Sequence, residues 1–303
     1  MQNESKGRES GSRKAALIID ASPSVSGVLR DVLDGSGWNT VRVATNVAAL
    51  AAVEANQYDV IVTSEKTSAA EGVELLRKIR RIHPHTRMII LAQEGTPGDV
   101  IAAIREHAFS YFTEPFAADE LAAMLQAAME APSWDDGIEV ISAKPDWIRV
   151  KARCDMETAD RLLRFLREIG ESLPEDERRS VAQAFREIFL NAIEHGGHFD
   201  SNQWVEIGYI RTRRAVCCRI EDPGPGFSLD QVPHAAIANP ADDPLRHVAH
   251  RDSKGLRSGG FGVLLARELV DELIYGEKGN EVVLIKYIDT ARPLEEGKAA
   301  EAS

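Results

Sequence analysis

The sequence predicts two domains of different class, a doubly wound α/β domain over residues 14–130 and an α+β domain over residues 148–291. Three observations carry this. In the first half, short apolar runs alternate with amphipathic stretches, the pattern of parallel strands joined by crossover helices. In the second half that alternation gives way to two long helices followed by a strand hairpin. Between them, residues 131–145 hold two prolines, Trp134 and the acidic pair Asp135 and Asp136, a break in rhythm that marks the boundary. A chain of 303 residues has room for two ordinary domains.

Taken in order, residues 1–13 are rich in Ser, Gly and charge and are expected to form a disordered tail. Strands are expected over 15–19, 41–44, 60–63, 88–91 and 111–112, with helices near 24–36, 47–56, 70–82, 97–107 and 117–130. Thr96 and Pro97 ahead of Asp99 mark a helix start, because proline suits the first turn. Residues 131–147 read as a linker and lead-in strand. A strand over 147–152 and a helix over 157–169 follow, and Pro174 with Glu175, Asp176 and Glu177 opens a second helix. Residues 204–210 and 215–221 form a hairpin, 261–272 a helix and 281–288 a last strand, so that helices cover one face of a mixed sheet. Residues 292–303 read as a tail, and no internal repeat occurs.

Composition narrows the function. The formal net charge of −12 argues against a general binder of phosphate backbones, so no direct contact with nucleic acid is expected. No apolar run approaches the ~20 residues of a spanning helix, and the first thirteen residues lack the apolar core of a secretory signal. A cytoplasmic protein without membrane attachment is the expectation. The three cysteines, Cys154, Cys217 and Cys218, have no metal or disulfide spacing, and the adjacent pair is expected to pack on opposite faces of a strand.

Three blocks in the C-terminal half describe a nucleotide site. The first is Glu187-x-x-x-Asn191-Ala192-x-x-His195-Gly196, which puts an acid, an amide and an imidazole on one helix face. An Asn among apolar neighbours needs partners for its amide, and a hydrated Mg²⁺ supplies one. The acid one turn earlier is placed to polarise a nucleophile near a γ-phosphate. The second block is Asp222-Pro-Gly224-Pro-Gly226-Phe227, directly after a strand; its carboxylate suits an exocyclic amine, and its glycines admit a tight turn. The third, Gly259-Gly260-Phe261-Gly262, opens a helix and offers backbone N–H groups to phosphate. The residues between Phe227 and Ser258 include Arg246, Arg251 and Lys254, and with Arg257 they could bring a cation to phosphate. No P-loop pattern occurs, and His195 with His198 lacks a third metal ligand.

Over residues 138–290, the order and spacing of these blocks resemble the N, G1 and G2 boxes of the GHKL ATPases, whose ATP-binding sandwich is the Bergerat fold. The compact form resembles the anti-sigma-factor serine/threonine kinases. The resemblance implies ATP and Mg²⁺ as cofactors, Glu187 as catalytic base and Asn191 as the Mg²⁺ ligand. It implies Asp222 at the adenine, Gly224, Gly226, Gly259, Gly260 and Gly262 around the pocket and phosphate loop, and a mobile lid over 228–258.

The first domain resembles the receiver of response regulators, a flavodoxin-like fold, through Ile19-Asp20-Ala21-Ser22-Pro23 and Tyr111-Phe112-Thr113-Glu114-Pro115-Phe116. Receiver chemistry needs an acid pair, an aspartate nucleophile, a hydroxyl and a lysine. Here Asp20 stands beside Ala21, and the other three positions hold Ser64, Ala92 and Glu114. A phosphorylation-incompetent receiver is expected, with residues 97–130 as a face for dimerisation or for a partner.

No histidine lies between His107 and His195, which removes the acceptor that a histidine autokinase needs ahead of its ATPase unit. The expectation is a kinase acting on a small anti-anti-sigma-like protein, with a sigma factor as a further partner and a homodimer allowed. The alternative is a nucleotide-gated binding module without phosphoryl transfer.

Overall fold

A computed structural model describes residues 14–19, 23–34, 37–63, 66, 68–130, 136–170, 173–226 and 262–288. The chain divides into two compact units, residues 1–135 and 136–303.

The first unit alternates strand and helix through β1 (Ala15–Ile19), α1 (Pro23–Asp34), β2 (Asn39–Val43), α2 (Asn46–Ala55) and β3 (Val60–Val62). It continues through α3 (Ala69–Ile82), β4 (Arg87–Ala92), α4 (Pro97–Arg105), β5 (Ser110–Thr113) and α5 (Ala118–Glu130). The five strands are parallel, in the order β2-β1-β3-β4-β5. Strands β3, β4 and β5 are buried along their whole length, which accounts for the apolar runs Val60–Val62 and Met88–Ala92. On one face α1 and α5 bring Leu29, Leu33, Leu121 and Leu125 onto Ile18, Val62 and Leu91. The start of α4 follows its sequence signal: Thr96 and Asp99 form a reciprocal capping box, with Pro97 in the first turn.

Ile104, Leu121 and Leu125 are buried inside the unit, and of the apolar positions weighed for an interface only Ala102 remains partly accessible.

The second unit is built on one six-stranded sheet, ordered β10-β11-β9-β8-β7-β6. Its strands are β6 (Ile138–Lys144), β7 (Trp147–Arg153), β8 (Trp204–Arg211), β9 (Ala215–Glu221), β10 (Glu272–Tyr275) and β11 (Glu281–Tyr287). Every pairing among them is antiparallel, so the expected mixed sheet is corrected to an antiparallel one. The stretch read as a linker and lead-in strand contains β6, which joins the sheet as the hairpin partner of β7. The helix expected over 261–272 stops at Leu269 among the described residues, and β10 follows it.

Alternation assigns the two faces of this sheet. Ile148, Val150, Val205, Ile207, Val216, Cys218 and Leu284 point inward, whereas Trp147, Arg149, Glu206 and Arg219 point out. Cys217 and Cys218 fall on opposite faces, and Cys218 is buried. Three helices contribute to the covered face: α6 (Met156–Ile169), α7 (Glu175–Asn191) and α8 (Gly262–Leu269). Asp155 caps α6, its Oδ1 accepting from the Thr158 amide at 2.8 Å. The Arg161 side chain, 1 % exposed, donates to the Asp136 carbonyl at 2.5 Å and to its carboxylate at 2.6 Å. This ion pair fixes the start of β6 to α6. Burial makes it costly to break, because losing one side takes an ion pair and hydrogen bonds away from a charge held out of water.

Candidate functional site

The end of α7, the end of β9 and the start of α8 meet at one place. Helix α7 opens at Pro174 with three acids in its first turn, where they face the positive end of the helix dipole. Val181, Phe185, Ile188 and Phe189 anchor it to the sheet side. That packing leaves Glu187 and Asn191, one turn apart, half-buried on another face. Beyond Asn191 the helix widens into a π-helical turn, Ala192–Gly196, in which the Gly197 amide donates to the Ala192 carbonyl at 2.9 Å. Such turns interrupt the regular ladder and often stand at functional sites.

The π-helical turn carries Gly196 against Asp222. A Cβ at Gly196 would overlap the Asp222 carboxylate, and one at Gly224 would lie 3.0 Å from the Gly196 Cα. Asp222 therefore stands directly beside the end of α7. Its Oδ1 accepts from the Gly224 amide at 2.8 Å, which closes the turn after β9. Burial raises the pKa of this carboxyl above the ordinary aspartate range, the Gly224 N–H offsets part of the shift, and the charge of Glu221 adds to it.

A second hairpin braces the same turn. The Asp222 amide donates to the Asn280 carbonyl at 2.9 Å, and the Asn280 side-chain amide donates to the Asp222 carbonyl at 3.0 Å. Two residues before Asn280, the Lys278 carbonyl lies so close to Gly226 that any Cβ there would overlap it. Gly226 also has φ of +80°, so both sterics and backbone geometry require glycine. Sequence reading missed Asn280 as a contributor. Its only sequence signal is the Gly279-Asn280 pair in the turn between β10 and β11.

The first residue of α8 completes the cluster. A Cβ at Gly262 would sit 2.8 Å from Glu187 Oε2 and 3.5 Å from Asn191 Nδ2. Gly262 is thus the point where α8 touches the acid and the amide of the first sequence block. Glu187 also faces the exposed Arg186 at 3.7 Å. Behind the π-helical turn, a Cβ at Gly197 would overlap the Cys154 sulfur. Burial first, then the charges of Asp222, Asp155 and Asp200, push the Cys154 thiol up to about 11, so it stays protonated and serves as packing.

The structure therefore brings Glu187, Asn191, Asp222, Gly224, Gly226 and Gly262 together. Gly259, Gly260, Arg257 and the expected lid lie outside the described residues. His195 is exposed, and no cluster of three His, Cys, Asp or Glu suited to a metal occurs among the described residues. In the first unit, Ala92 closes β4 fully buried and Glu114 follows β5 exposed, while Asp20, Ala21 and Ser64 lie outside the described residues. No helix among the described residues is long and apolar enough to cross a membrane.

The cluster suits a magnesium nucleotide. It joins a half-buried carboxylate at a main-chain turn to hard oxygen donors, the Asn191 amide and the Glu187 carboxylate, beside a helix start.

Comparison with known proteins agrees with this division. Residues 152–286 match the family described as the histidine kinase-like ATPase domain, and residues 16–126 match the response regulator receiver domain. The transcriptional regulatory protein TcrA of Mycobacterium tuberculosis is 33% identical over 121 residues, 40% of this chain and 47% of that protein. The nitrogen assimilation regulatory protein NtrX of Azorhizobium caulinodans is 29% identical over 116 residues, 38% of this chain and 26% of that protein. This chain spans less than half the length of either relative. A CheY-like receiver domain protein from Methanospirillum hungatei matches at 22% identity with a TM-score of 0.34, covering 38% of this chain and 92% of that one.

Proposed function

We propose that this chain, a receiver domain joined to a histidine kinase-like ATPase domain, is an ATP-dependent protein kinase of the anti-sigma-factor type. In this reading it transfers the γ-phosphoryl group of ATP to a serine or threonine of a small, separate protein in the cytoplasm. The observation that carries the reading is the contact of Gly262 with Glu187 and Asn191, which sets an acid beside a magnesium-type ligand at a helix start.

Each residue has a role in this scheme. The Asp222 carboxylate accepts a hydrogen bond from the adenine amine, with Asn280 and Gly224 holding it in place. The Asn191 amide oxygen binds Mg²⁺, which when present neutralises phosphate charge. Glu187 accepts the proton of the attacking hydroxyl. The hydroxyl oxygen then bonds to the γ-phosphorus as its bond to the β–γ bridging oxygen breaks, releasing ADP. Gly259, Gly260, Gly262 and Arg257 contact the phosphates.

The acceptor is assigned to another protein because no histidine lies between His107 and His195. The receiver is a regulatory module that takes no phosphoryl group of its own. Ser64 cannot form an acyl phosphate, Ala92 lacks the hydroxyl, and Glu114 places negative charge where a phosphoryl group calls for a cation.

The deciding experiment adds γ-labelled ATP and Mg²⁺ to the full chain in an extract of its own cells, beside Glu187→Ala. An acid-stable label on a small protein, absent with the variant, is the expected result. ATP binding without any transfer would replace the kinase with a nucleotide-gated binding module. Label on this chain's own receiver would refute the inert-receiver assignment.

A further inference from the structure

The outward face of the six-stranded sheet breaks the alternation that its inward face obeys. Register places Trp147, Ile210, Cys217 and Ile285 side by side across β7, β8, β9 and β11, all on the outward face. Trp147 is 56%, Ile210 45% and the neighbouring Ile141 41% exposed. On an antiparallel sheet the solvent face is ordinarily polar, so an apolar row across four strands marks an interaction surface. Beside this row Gly208, in the middle of β8, opens a hollow of about 110 Å³ walled by Ile141, Trp147 and Ile210. Sterics do not require glycine there, since a Cβ would meet only the Arg219 Cβ, at 3.6 Å. Such a strand glycine often marks the close approach of another surface.

The charges of this face are divided by sign. On the β6–β8 side, Lys144, Arg149, Lys151 and Arg153 outnumber Glu139 and Glu206 by two. On the β9–β11–β10 side, Glu221, Glu272 and Glu281 outnumber Arg219 by two. Pairs within the chain, Lys151 with Glu206 at 3.1 Å and Arg219 with Glu221 at 2.6 Å, let these groups be covered without isolating a charge. What a partner meets is the surplus, positive on one half and negative on the other. A uniformly acidic or basic partner would match one half and oppose the other. A second copy related by a two-fold axis matches both.

We propose that two copies of this chain join through the outward faces of their ATPase-unit sheets. With the two-fold axis along the strands, between β8 and β9, β7 of one copy crosses β11 of the other. Trp147 then lies over Ile285 of the second copy, Ile210 over its Cys217 and Lys151 over its Glu281. Strands about 4.8 Å apart, with about 3.4 Å of rise per residue, give the face a footprint of roughly 24 by 24 Å. Side chains roughen it, so its accessible area is on the scale of the ~800 Å² that each partner gives a standard interface. The assignment does not depend on the kinase reading, and its test uses no nucleotide.

Sedimentation equilibrium of the full chain at micromolar concentration should show a dimer. Ile210→Glu brings two carboxylates to the axis and should raise the dissociation constant by about a hundredfold or more. Its circular dichroism should stay unchanged, because Ile210 is exposed in the single chain. Lys151→Glu and Glu281→Lys each set like charges against each other at two symmetric places, and each alone should dimerise at least about tenfold more weakly. An equal mixture of these two variants should recover dimerisation, since unlike charges then meet at both places, a recovery that a folding defect cannot produce. A monomeric wild-type chain, a dimer that survives Ile210→Glu, or a mixture no tighter than either variant alone would each overturn the assignment.

Discussion

Asn280 grips Asp222 at both ends of its backbone: its carbonyl takes the Asp222 N–H at 2.9 Å, and its side-chain amide donates to the Asp222 carbonyl at 3.0 Å. The β10–β11 turn therefore fixes the orientation of the carboxylate assigned to adenine. Asn280→Ala keeps the backbone bond and loses the side-chain one, a net change of about 1 kcal/mol. ATP affinity should fall about fivefold by equilibrium binding with little change in melting temperature. Asn280→Asp should bind more weakly still, since it removes the donor and sets a second negative charge beside Asp222. An unaltered affinity in both variants would remove Asn280 from the site.

Gly262→Ala separates turnover from stability. Alanine at the first residue of α8 meets at close range only the flexible end of the Glu187 side chain, so the unfolding midpoint should change little. The added methyl would stand 2.8 Å from Glu187 Oε2 and displace that carboxylate. Turnover should drop by about tenfold or more while KM for ATP changes less, the split that marks a lost transition-state contact.

The Asp222 carboxyl gives the site a pH signature. Its folded pKa is raised by burial, so the folded state binds the proton more readily than the unfolded chain does. Its contribution to stability is therefore fully present below the ordinary aspartate value and is lost as pH rises through the raised one. Nucleotide binding runs the other way, because only the ionised carboxylate lacks the acid proton and accepts with both oxygens. Between about pH 7 and pH 4, ATP affinity should begin to fall at a higher pH than an ordinary aspartate would give. Asp222→Asn should bind weakly at every pH in that range and show no such inflection.

Removing one side of the buried Arg161–Asp136 pair tests how β6 is held. Arg161→Met should destabilise the second unit by about 3 kcal/mol in urea unfolding, since it removes a buried ion pair and the hydrogen bonds to Asp136. Asp136→Asn added to Arg161→Met should recover part of that loss, because it also removes the negative charge that Arg161 faced.

Much of the fold was legible because its determinants are local. Buried parallel strands leave continuous apolar runs, and the Thr96–Asp99 capping box announced α4. Glu187, Asn191, Asp222 and Gly262 could be singled out for a related reason: each belongs to a short block of distinctive spacing. Strand β10 was not readable. Leu269, Val270, Leu273 and Ile274 continue the helical spacing, and only pairing with β11 turns the last two into strand. Asn280 was missed because its bonds to Asp222 join residues 58 apart in sequence. The close approach of Gly196, at the end of the π-helical turn, to Asp222 is likewise a contact that no local pattern encodes. The sheet was expected to be mixed because strand direction across long connections is set by packing, not by the strands' own residues.

The close approaches at Gly196 and Gly226 also govern how such a site can evolve. Where even one methyl group collides, mutation acts as a switch: the first step away from glycine forfeits the fit, and no graded series lies beyond it. Gradual adjustment of nucleotide affinity must instead pass through side chains with room to vary, and Asn280, at the turn that braces Asp222, is the place where lineages could retune the site without dismantling it.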